Sequence, residues 1–163
     1  MTTSARHWTI PRILVQLVLL VTMFVPLLAD LVIPDIAAMH LHNPAWPPHA
    51  KFHDAQYLVM SALLGLTGSV ILRRRAGDLR AQFRWAAALA AITWVGMFGA
   101  LLFPGTAAQD PEHRAGNPPI LGLDPQLFVA LIVLVTVAIA VVVEQVAQVC
   151  SGDQWTTKSS RAM

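Results

Sequence analysis

The stretch ILVQLVLLVTMFVPLLADLVI, residues 13–33, decides the fold. It carries no charge before Asp30, and at about 1.5 Å of rise per residue a helix of this length crosses a hydrocarbon core of about 30 Å. Three further largely apolar stretches follow at 53–72, 85–103 and 126–144, each close to the roughly 20 residues that a spanning helix needs. Hydrophobic residues make up 56% of the 163-residue chain and charged residues 12%, a balance that water-compatible surface could hardly cover. The expectation is an all-α, polytopic integral membrane four-helix bundle, one transmembrane domain over 1–152 followed by a flexible cytoplasmic tail over 153–163. A cleaved signal peptide is the alternative for the first stretch, because Arg6 and Arg12 precede it. Its long uninterrupted apolar run and the lack of a small-x-small cleavage site favour a retained span.

The sequence pI near 9.2 does not point to nucleic acid, because the basic residues flank the spans and have no aromatic stacking platform among them. With four alternating spans, Arg6, Arg12, Arg73, Arg74, Arg75, Arg80, Arg84, Lys158 and Arg161 fall on one side, and Lys51 and Arg114 on the other. The positive-inside rule then makes both termini and the 73–84 connection cytoplasmic, and turns the 34–54 and 104–126 connections outward. The expected location is the plasma membrane of a bacterium, with the histidine-rich loop extracytoplasmic. Cys150 is the single cysteine, which excludes an internal disulfide and leaves a buried thiol or a palmitoylation site.

Local signals sharpen the helix ends. Pro11 suits an early helical position, Pro26 interrupts the first helix, and Pro47-Pro48 open the second. Asp124-Pro125 reads as an N-cap followed by a first-turn proline. Ala87, Ala91, Gly96 and Ala100 on the third helix are small enough for close helix approach, within one bundle or between copies in a homo-oligomer. Trp8, Trp85 and Trp155 suit the inner interface and Trp46 the outer one.

The first connection, 34–54, runs into HNPAWPPHAKFH, residues 42–53. Five of the six histidines, His40, His42, His49, His53 and His113, fall on the outward side, together with Asp30, Asp35, Asp54, Asp110, Glu112 and Asp124. Two connections of a compact bundle must lie side by side, so these groups are expected to converge on one outward-facing pocket. His49, His53 and Gln56 share a helix face. One reading is a divalent transition metal (zinc, iron or copper) on His42, His49 and His53, since neutral imidazoles suit such ions. A second reading is metal-free acid–base chemistry by Asp30 and His53. Trp46, Phe52 and Gln56 would then line the substrate pocket, with His40, Glu112 and His113 as additional polar groups. The plainer reading is that histidines in a proline-rich interfacial loop cap helix ends and solvate the surface. Asp54 and Asp124 read as first-turn helix charges, and Asp78 as a balance to its arginine neighbours.

The run resembles the signature H-x-P-x-W-P-x-H-A-x-F-H of an uncharacterised family of small four-helix membrane proteins. The matching positions are His42, Pro44, Trp46, Pro47, His49, Ala50, Phe52 and His53, with Asp30 upstream. A looser similarity is to the EXPERA superfamily of emopamil-binding sterol isomerases and sigma-2-type receptors, which implies a lipophilic ligand inside the bundle with acids at its polar end. The histidine spacing departs from that family's acid-rich pattern. Membrane di-iron hydroxylases need more histidines, on the cytoplasmic side, and are set aside.

The function expected from the sequence is binding or transformation of a small lipophilic molecule, with membrane lipids or such a ligand as partner and no nucleic acid. The alternatives are an EXPERA-like sterol or lipid isomerase, a non-catalytic lipid-binding protein, and a membrane scaffold without chemistry.

Overall fold

The computed structural model describes residues 9–160, apart from the side chains of Glu112 and of residues 150–160. The expectations placed on Arg6, Trp8 and Arg161, and on the side chains of Glu112, Cys150, Trp155 and Lys158, therefore lie outside the described residues, whereas the backbone of the expected tail continues as helix over 153–160. The chain is helical, in the order α1 (Ile10–Leu31), α2 (Pro34–Ala37), α3 (Pro48–Arg73), α4 (Leu79–Ala100), a 3₁₀ turn (Pro111–His113) and α5 (Pro125–Ser160). Among the described residues four segments, Ile10–Leu31, Pro48–Arg73, Leu79–Ala100 and Pro125–Val149, are long and apolar enough to cross a membrane.

The helix ends follow from local chemistry. Proline occupies an early position in α1 and α3, where its missing N–H costs no helical hydrogen bond. α4 begins at Leu79, ahead of the apolar run that opens at Trp85, because Asp78 caps it by accepting from the N–H groups of Arg80 and Ala81 at 2.9 and 3.1 Å. The bonds from Ala81 and Arg80 also hold the Asp78 carboxyl below the usual carboxylate range. Asp78 is thus a cap rather than merely a counter-charge. Asp124 does cap α5, accepting from the Gln126 N–H at 3.1 Å.

In α1 the buried residues Pro11, Val15, Val18, Leu19, Thr22, Pro26 and Asp30 recur at helical spacing and form one stripe. That stripe meets all three other spans, whereas α3 and α5 stand at opposite corners of the bundle. The core joins Val15, Leu19, Leu72, Phe83, Trp94 and Val133. Only 28–39% of each span is buried inside the bundle, and Leu17, Leu63, Ile92, Val95, Ile132 and Ile139 point outward. Water would penalise such an apolar exterior; hydrocarbon accepts it.

The close approach of helices occurs elsewhere than the sequence suggested. Ala86, Ala87 and Ala90 on α4 are buried, but Gly96 and Ala100 are exposed and a Cβ at Gly96 would meet nothing within 4 Å. The tight contact is between α1 and α3. A Cβ at Gly65 would lie 2.6 Å from the Leu19 carbonyl oxygen, and one at Gly68 would strike the Leu19 side chain. Polar groups pin this pair at one end: Gln16 Nε2 donates to Ser69 Oγ at 2.9 Å, and Arg73 Nε donates to Gln16 Oε1 at 3.1 Å. Arg12 donates to the carbonyl of Leu72, one of those left over at the end of α3.

Candidate functional site

At the opposite end of the bundle the helix ends and both connections enclose a cavity of about 650 Å³. This is within the usual range for small-molecule sites, roughly 300–1,000 Å³. The wall is mainly apolar, with Pro26 and Val25 from α1, Trp94 and Met97 from α4, and Val129 from α5. Asp30, His40 and Asp54 bring charge or proton chemistry to it from three segments, and Asp110, His113 and Asp124 bring more from the opposite side.

Asp30 sits in the last turn of α1 and is only 6% exposed. The negative end of a helix dipole disfavours a carboxylate there, so a neighbouring positive or proton-donating group is needed. The chain supplies it by turning back through α2. His40 Nδ1 lies 3.4 Å from Asp30 Oδ1 and, at 2.9 Å, donates to the carbonyl of Ile36. These two acceptors fix the proton on Nδ1, leaving Nε2 as the ring nitrogen that can accept one. Trp46 packs against the same imidazole edge-to-face, with ring centroids 6.0 Å apart.

Asp54 and Tyr57 reach the cavity from one face of α3. Asp54 Oδ2 is closed off from solvent and has no hydrogen-bond partner among the described residues. The second connection closes the far side with Gln109, Asp110 and His113. It is tied down by Gln126 Nε2, which donates to the carbonyl of Ala108. Asn117 Nδ2 reaches Met39 Sδ at 4.0 Å, so the two connections do lie side by side.

Of the residues singled out in the sequence, Asp30, His40, Trp46 and His113 line this cavity, whereas His42, His49, Phe52, His53 and Gln56 do not. The pairing expected between Asp30 and His53 is replaced by Asp30 with His40. His53 instead faces His49 and Gln56 on the exposed side of α3. The expected metal trio is not assembled either. His49 meets His53 but His42 does not join them, and among the described residues no three His, Cys, Asp or Glu side chains form a group that could hold a metal ion.

Asp54, read as a first-turn charge, lies beyond the first turn and belongs to the cavity. Tyr57 and Trp94 were missed. Asp54 and Tyr57 are three apart on α3, a spacing that brings both side chains to the cavity, although Tyr57 also stands one turn beyond His53. Trp94 differs from Trp46 and Trp85 in being buried within a span, where the indole N–H must find a partner. It donates to Thr22 Oγ1 at 2.9 Å.

No curated protein and no solved structure matches the chain. A family model described as a family of unknown function, DUF6640, matches residues 20–150, a region that holds every residue placed around the cavity. The chain belongs to that family.

Proposed function

We propose that the chain binds a small lipophilic molecule in this cavity, with the molecule's polar end held by Asp54, Asp30 and His40. One observation carries the reading: an acceptor oxygen of Asp54 is buried and unpartnered at the edge of an apolar-walled cavity. A buried acceptor without a donor costs about 1–3 kcal/mol, and a ligand hydroxyl would relieve that cost while its apolar body filled the remaining space. The proposed ligand is therefore a lipophilic alcohol. With a reactive ligand in place, the same arrangement would serve proton transfer, because Asp30 holds His40 in the tautomer whose Nε2 accepts a proton.

The discriminating probe pair is farnesol and its methyl ether, which differ in hydroxyl donation and little in apolar area. Wild-type protein is expected to prefer the alcohol by about tenfold, the worth of one hydrogen bond. Asp54→Leu is expected to erase the preference while leaving the helical circular dichroism unchanged. Equal binding of alcohol and ether to wild type would defeat the reading.

The cavity is proposed to open outside the cytoplasm. Among the described residues, Arg12, Arg73, Arg74, Arg75, Arg80 and Arg84 gather at the far end, and only Lys51 and Arg114 stand near the mouth. In a Cys150→Ser background, Ala115→Cys should react with a membrane-impermeant maleimide on intact cells and Ala76→Cys should not. The reverse pattern would invert the topology.

A further inference from the structure

The cavity leaves unused the two imidazoles that stand out most in the sequence. His49 and His53 occupy successive turns at the start of α3, both exposed, with ring centroids 4.4 Å apart and planes at 77°. Their Nε2 atoms face each other at 3.1 Å. Gln56 Oε1 accepts from His53 Nδ1 at 3.3 Å, which places the His53 proton on Nδ1 and leaves its Nε2 lone pair turned toward His49. In the neutral pair His49 Nε2–H is then the donor. Phe52 stacks nearly parallel to the His49 ring, with centroids 6.4 Å apart, and stands edge-on to His53, giving the pair an apolar flank.

Two imidazole nitrogens bound to one tetrahedral ion at about 2.0–2.1 Å lie about 3.3–3.4 Å from each other. The observed separation falls a few tenths of an ångström short of that value. An ion could enter with small ring rotations, while the His49 proton moves from Nε2 to its exposed Nδ1. His53 already has what a metal-bound histidine usually has, its other ring N–H donated to a carbonyl oxygen. We infer that His49 and His53 form a two-imidazole site for a divalent transition ion of the copper or zinc type, separate from the cavity and with coordination positions open to water. Imidazole ligands and an exposed, partly open site favour copper(II) among the common divalent ions.

The test uses the full chain purified in detergent without a polyhistidine tag and titrated with copper(II) alone. Paramagnetic resonance should show one ion per chain, with hyperfine structure from two imidazole nitrogens. His49→Ala and His53→Ala should each abolish that two-nitrogen pattern, and zinc should compete for the site in wild type. His42→Ala should leave the signal unchanged. Because both imidazoles are exposed, the variants should keep the wild-type helical circular dichroism, so a lost signal reports the site rather than the fold. Absence of stoichiometric copper in wild type, survival of the two-nitrogen pattern in His53→Ala, or an equal loss in His42→Ala would each overturn the assignment. None of these outcomes depends on whether the cavity binds an alcohol.

Discussion

Gly65→Leu is expected to destabilise the bundle by about 3 kcal/mol, the upper end of the usual range for overpacking. The Cβ of any residue larger than glycine would lie 2.6 Å from the backbone oxygen of Leu19 and 2.7 Å from Met23 Cβ, so α1 and α3 would have to separate. Rotating a side chain does not relieve a clash with backbone. At Gly68→Ala the nearest atoms belong to the Leu19 side chain rather than to backbone, so a smaller cost of about 1 kcal/mol is expected there. Gly96→Ala, on open surface, should leave stability unchanged or slightly raised through helix propensity. Denaturation in mixed micelles, followed by circular dichroism, ranks the three. Equal effects at Gly65 and Gly96 would mean that α1 and α3 do not pack as described, and the cavity above them would go with that packing.

Trp94→Ala should cost about 3–5 kcal/mol, the range for truncating a large buried aromatic. Trp94 is only 4% exposed, belongs to the core and also lines the cavity. Its loss therefore both leaves a void in the bundle and enlarges the ligand space. The indole N–H can be separated from the ring's bulk. Trp94→Phe keeps most of the apolar volume but leaves the buried Thr22 hydroxyl without its donor, for an expected cost of about 1–3 kcal/mol. Adding Thr22→Val removes the orphaned group, so the double variant should recover part of that loss. A strictly additive double variant would show that the Thr22–Trp94 bond contributes nothing across α1 and α4.

The spans were legible in the sequence because each needs only a sustained apolar run, and a sum over about 20 residues tolerates local exceptions such as Pro26. The helix starts were legible as well, since proline and aspartate act within one turn of the boundary they mark. Rotation about the helix axes was not. In a bundle that is apolar inside and out, hydrophobic periodicity does not identify which face of α3 turns inward. The answer came from Gly65 and Gly68, whose lack of side chains lets α1 approach. That rotation carries Asp54 and Tyr57 to the cavity and leaves His49 and His53 outside it, so the prominent histidine run did not mark the cavity face. Asp30 was legible as an acid at a helix end. Its partner depended on α2 reversing the chain, which delivers His40 from a loop that sequence spacing could not orient.

The proposed ligand is a lipophilic molecule held in the cavity by a hydrogen bond donated to the buried oxygen of Asp54. Native mass spectrometry of the purified chain, offered farnesol and its methyl ether in competition, tests it most directly. One farnesol per chain is expected, retained over the ether in wild type and retained no better than the ether in Asp54→Leu. Adducts that rise without saturation, or one bound molecule with no preference between alcohol and ether, would contradict it.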